Sequence, residues 1–144
     1  DISDDDYAAG LRELVELLPI DGRLVVLSSS PTADDDRNAA LVRLAGVARS
    51  VAEESSGQIV FIDTSDAFVW PPERDLNGDG APEFKSDLIH VCPAGSAQFA
   101  AWLVSELEAR FDGLSPVDPS IWATGDWVTD PRYDVPIGAC APVG

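Results

Sequence analysis

R-L-V-V-L-S, residues 23–28, is the stretch on which the fold turns. Its run of apolar residues would make an extended chain apolar on both faces. Strands of that kind belong to parallel sheets covered by helices. Q-I-V-F-I-D, residues 58–63, repeats the pattern. Between the two, from Asp35 to Glu54, Ala40, Leu44, Val47, Ala48 and Val51 recur at helical spacing. Strand, helix, strand predicts a parallel pair joined by a crossover helix.

Working outward, Ser3 caps a first helix, with Asp6 as the acidic half of a capping box. Tyr7, Leu11, Leu14, Val15 and Leu18 supply its apolar stripe, and Pro19 and Gly22 end it. Asp4, Asp5 and Asp6 suit the positive end of that helix, or simply a solvated face. On the other side, residues 71–85 are rich in proline, glycine and aspartate. Pro93 opens a third helix, where its missing N–H is harmless. Phe99, Trp102, Leu103, Leu107 and Phe111 give that helix its apolar face, and Gly113 caps it. Residues 114–144 read as an irregular tail clamped back by Trp122, Trp127 and Tyr133, so the organisation is 1–113 and 114–144. The same aromatics would also suit a sugar or an acyl chain. The fold class is α/β with a parallel sheet between helical layers. Two strands are too few for three helices to cover, so further strands must come from another segment or a partner.

The chain has 144 residues, enough for one domain. Its net charge of −17 argues against nucleic acid and anionic membrane surfaces, which need positive charge on the protein. No apolar run approaches the length of a membrane span, and no signal peptide is evident. A start at Asp1 without any methionine reads as a processed product, a fragment or a trimmed form. Cys92 and Cys140 are the only cysteines. They read as one disulfide of an exported, cell-envelope or secreted protein. Closing that loop would stabilise by about 4 kcal/mol in the chain-entropy view.

S-D-L-I-H-V-C-P-A-G, residues 86–95, holds the only histidine. Asp87 lies three places before His90. Aspartate is 18 of 144 residues, so the bare spacing arises about one time in eight by chance. Context sharpens it, because the pair falls on a loop between an α/β strand and a helix, where functional groups gather. A carboxylate there can accept the Nδ1 proton, fix the tautomer and leave Nε2 as a general base. Asp75-Leu-Asn77-Gly-Asp79-Gly80 offers a second constellation. It matches the opening of a calcium loop, with Asp75, Asn77 and Asp79 at positions 1, 3 and 5, the Ala81 carbonyl and Glu83 following. Ser86 stands at position 12, where a bidentate glutamate is required, so an acidic turn without metal fits the same residues. If calcium binds, it stiffens the loop that carries Asp87.

The segment D-L-I-H-V-C-P-A-G-S-A-Q-F-A-A-W-L resembles the last block of the SGNH (GDSL-type) esterases and acyltransferases: Asp-x-x-His, a small-residue turn and the final helix. R-L-V-V-L-S-S-S-P, Asn38 near the start of the next helix, and I-V-F-I-D are similar to the preceding units. The likeness spans about residues 1–112 and is greatest to SGNH domains at the C-terminus of actinobacterial membrane acyltransferases. It implies a three-layer, flavodoxin-like fold of which only the C-terminal part is present. It also implies Asp87 as orienting acid and His90 as general base. The family's Gly-Asp-Ser nucleophile block, second-block glycine and Gly-x-Asn-Asp block are missing. Gly125-Asp126-Trp127 has tryptophan for the serine and comes at the wrong place. Ser28, Ser29 and Ser30 lack a nucleophile turn, and Asn38 and Asn77 lack the asparagine block's frame.

The expectation is therefore the Asp/His-bearing portion of a serine esterase or O-acyltransferase acting on an ester of a cell-envelope glycan or lipid. No cofactor is required, and the serine comes from an upstream segment or a paired chain. By itself this part lacks the nucleophile for an acyl-enzyme. The alternative is a non-catalytic SGNH-like binding module, calcium-stabilised or completed by dimerisation.

Overall fold

Helix α1 (Asp4–Glu16) starts at a side-chain cap: the Ser3 hydroxyl accepts the Asp6 N–H at 3.1 Å and donates to the Asp6 carboxylate at 2.7 Å. Asp4, Asp5 and Asp6 then occupy the first turn, where the helix dipole favours negative charge. The structure, a computed structural model, describes residues 2–29, 35–67, 73–115, 118, 121, 129–136 and 138–142. Strand β1 (Leu24–Leu27), helix α2 (Asp35–Glu54) and strand β2 (Ile59–Ile62) follow, and a 3-10 turn covers Thr64–Asp66. The strands pair in parallel, Leu24 opposite Ile59 and Val26 opposite Phe61. That register puts Leu24, Val26, Ile59 and Phe61 on one face. Against it pack Leu11, Tyr7 and Val15 of α1 and Ala48, Val51 and Val47 of α2. Each fully buried Val or Ile there contributes about 1.5–3 kcal/mol.

The helical stripes differ slightly from expectation. Ala40 is exposed, and the half-buried Leu41 and Leu44 lie where α2 meets the strands. Leu14 points outward, 48% exposed, because Leu11 and Val15 already fill the α1 contact.

The chain divides into two compact units, Asp1–Asp66 and Ala67–Gly144. The boundary expected between residues 113 and 114 lies within the second. That second unit is built on helix α3 (Pro93–Glu108), with Pro93 in its first turn. Pro93, Gly95 and Ala97 are its buried residues, and the Phe99 and Trp102 rings lie 5.7 Å apart. Gly113 takes a positive φ of 86°, but α3 has already ended at Glu108 with Ala109 as its C-cap.

The described residues form a mixed α/β chain with three α-helices and a two-stranded parallel sheet. The wider sheet that a three-layer fold requires is not present among them. None of the described helices is long and apolar enough to cross a membrane.

Candidate active site

The loop before α3 is a hairpin. Phe84 and Val91 form an antiparallel bridge. Lys85 N–H donates to the His90 carbonyl and Cys92 N–H to the Glu83 carbonyl, both at 2.8 Å. At the tip, Leu88 N–H closes a turn on the Lys85 carbonyl at 3.0 Å. Leu88 has φ of +55°, a left-handed conformation that costs a branched residue about 1–2 kcal/mol. That strained residue lies between Asp87 and His90 in the chain.

The Asp87 carboxylate fixes the tip. Its Oδ1 accepts the N–H groups of Ile89 and His90, each at 3.0 Å. Its Oδ2 lies 2.8 Å from His90 Nδ1. The His90 side-chain bond, then the two backbone N–H groups, hold the Asp87 carboxyl down to about 2. An ionised Asp87 requires the proton on Nδ1, which leaves the Nε2 lone pair as the base. Among the described residues nothing bonds to Nε2, and the histidine side chain is 71% exposed. The arrangement can accept a proton from an approaching hydroxyl and return it to a leaving group.

Three contacts hold the hairpin from behind. Glu83 is 2% exposed, and its carboxylate accepts Leu76 N–H at 2.7 Å and Asn77 Nδ2 at 3.0 Å. Gly95 of α3 lies so close to Glu83 that an added Cβ would stand 2.3 Å from the Glu83 carbonyl oxygen. The predicted Cys92–Cys140 disulfide is formed, joining the base of the hairpin to the tail. Such a bond suits an oxidising compartment. Lys85 Nζ adds a bond to the Val135 carbonyl at 2.8 Å, and Arg74 donates to the carbonyls of Ala139 and Ala141 at 2.9 and 3.3 Å. Asp134 caps the tail turn by accepting the N–H groups of Gly138 and Cys140. Sequence reading missed Lys85, Arg74 and Asp134 as anchors. The one available signal was Asp134 four residues before Gly138, a spacing suited to an aspartate-capped turn. Of the three aromatic anchors, Tyr133 is half-buried, while Trp122 and Trp127 lie outside the described residues. So do Gly125-Asp126 and Ser30.

The acidic loop is closed on itself. Asp75 accepts the N–H groups of Gly78 and Gly80 at 2.7 and 2.8 Å. Asn77 accepts that of Asp79 at 3.0 Å, and Asp79 that of Ala81 at 2.8 Å. The Asn77 amide turns its donor towards Glu83. Among the described residues no group of three or more His, Cys, Asp or Glu side chains is arranged to hold a metal. The side-chain oxygens of Asp75, Asn77, Asp79 and Glu83 thus accept N–H groups of the loop itself, a structural task that needs no ion.

In the first unit, Ser28 is tied to the strand ends. Its hydroxyl lies 3.1 Å from Asp63 Oδ1 and accepts Thr64 N–H at 2.8 Å, and its carbonyl accepts the Thr64 hydroxyl at 2.7 Å. Asp63 also meets Arg49 at 2.8 Å. Its carboxyl is held below the usual range, first by the Ser65 N–H and to a lesser degree by Ser28 and Arg49. Ser28 thus fastens β1 to β2. Ser29 is exposed.

Compared with known proteins, the chain matches no family model, no curated protein and no solved structure.

Proposed function

We propose that the chain is the Asp/His-bearing portion of a serine esterase or O-acyltransferase of the SGNH kind, acting on an ester of a cell-envelope glycan or lipid. The serine comes from another segment, in the same precursor or a paired chain. The observation that carries this reading is the 2.8 Å Asp87–His90 contact with Nε2 left open.

In the proposed reaction, Nε2 takes the serine proton as the serine oxygen attacks the ester carbonyl carbon. The imidazolium formed is stabilised by the Asp87 carboxylate. As the tetrahedral centre collapses, Nε2–H returns the proton to the departing alcohol. Water or an acceptor alcohol, deprotonated in turn by Nε2, then attacks the acyl carbonyl carbon, and Nε2–H returns the proton to the serine oxygen as the acyl–serine bond breaks. His90→Ala in the reunited protein is expected to lower acetyl-ester hydrolysis by about 10³-fold or more. Equal rates would remove the assignment.

A second reading is a non-catalytic binding module. The observation favouring it is that Asp87 Oδ1 closes the hairpin tip through two backbone bonds, a structural task that needs no chemistry. Hairpin amide protection kept in His90→Ala but lost in Asp87→Ala, with no ester hydrolysis by the unaltered reunited protein, would support it.

A further inference from the structure

We infer that the β1 edge turned away from β2, unpaired among the described residues, is the seat of a strand from a separate polypeptide segment, one that is uncharged or basic. Leu24 N–H donates to Gln58 O at 2.8 Å and Ser28 N–H to Ile62 O at 3.0 Å. Backbone groups of successive strand residues alternate between edges, so Leu24, Val26 and Ser28 face β2. Val25 and Leu27 then face the other way, with two N–H and two C=O groups. The two-stranded order leaves that edge without a neighbour among the described residues.

Chains normally guard such an edge with proline, a charge, a bulge or a cover. β1 has none of the first three: it is Leu-Val-Val-Leu, in unbroken register with β2. Val25 and Leu27 are 37% and 38% exposed. Their side chains stand on the face opposite the one that α1 and α2 cover. An added strand would therefore gain backbone bonds and apolar contact together.

Charge decides between occupants. A second copy would bring a net −17 against another −17, which repels. A neutral or basic strand meets no such opposition. The inference concerns the β1 edge alone and holds whatever the segment carries, the serine of the proposed function or not.

The test uses the full ¹⁵N-labelled chain and the peptide acetyl-Lys-Lys-Val-Thr-Val-Thr-Val-Lys-Lys-amide as probe. In the monomer, the Val25 and Leu27 amides should exchange about tenfold or more faster than those of Val26 and Ser28. With peptide they should slow by about tenfold or more. Val25→Lys and Leu27→Lys should each abolish the effect, with Val26 protection showing that the β1–β2 ladder persists. Leu17→Lys, on an exposed residue outside the strand, should leave it unchanged. Protection of Val25 and Leu27 in the monomer without peptide would overturn the inference. So would protection that rises with chain concentration as the mass doubles, which would identify a second copy, or no response to peptide. None of these readouts involves ester hydrolysis, so failure here leaves the Asp87–His90 assignment standing.

Discussion

Asp87 performs two tasks with one carboxylate. Oδ1 organises the hairpin tip and Oδ2 orients the imidazole. Its value of about 2 lies below the ordinary 3.8, so the pairing favours the folded hairpin fully above pH 3.8. That contribution fades as pH falls from 3.8 to about 2. Carbon-detected NMR of the carboxyl should give a midpoint near 2. A midpoint at the ordinary 3.8 would mean that the pair does not form. Asp87→Asn separates the two tasks. The amide oxygen can still accept both backbone N–H groups, but the charge that stabilises the imidazolium is gone. Reunited protein should then keep its hairpin amide protection while losing roughly two to four orders of magnitude in rate.

Two glycines in helices show how contact decides the effect of the same change. Gly46 in α2 has nothing within 4 Å of an added Cβ. Gly46→Ala should stabilise by about 0.5–1 kcal/mol through helix propensity. Gly95 in α3 has the Glu83 backbone 2.3 Å from that position. Gly95→Ala should destabilise by about 1–3 kcal/mol, because backbone must move. Urea unfolding of the two variants should shift in opposite directions. The elements themselves were legible in the sequence. The two-sided runs gave β1 and β2, the 3.6-residue stripe gave α2 from Asp35 to Glu54, and Pro93 gave the start of α3. Asp87 and His90 were legible as a pair because they are neighbours in the chain. The Gly95–Glu83 contact was not, since it joins residues twelve apart through the fold. The Asp75–Gly80 loop was ambiguous for a different reason. Alternating Asp and Asn oxygens serve calcium or backbone N–H groups equally well in sequence, and the structure shows the backbone bonds they make.

At the scale of the whole chain, the two units are stabilised differently. The first relies on an apolar contact between two helices and one face of a small sheet. The second relies on a disulfide, the Glu83 carboxylate and side-chain bonds to tail carbonyls. Reduction should therefore act selectively. Loss of the bridge removes a constraint worth about 4 kcal/mol in the chain-entropy view, all of it within residues 92–140. Hydrogen exchange after reduction should quicken at Lys85 and Cys92, whose N–H groups close the hairpin, while Val26 and Ser28 hold their protection. Equal loosening of both would mean that they unfold as one.

Lys85 is the only lysine in the sequence. Its N–H closes the hairpin on His90 and its Nζ holds the tail at Val135. A lysine-specific protease thus has one place to cut, two residues before Asp87. Both cysteines lie beyond that cut, so the disulfide would not tether the released 1–85 piece. The rate at which a single incision appears becomes a clock for hairpin opening, readable on an ordinary gel without labels.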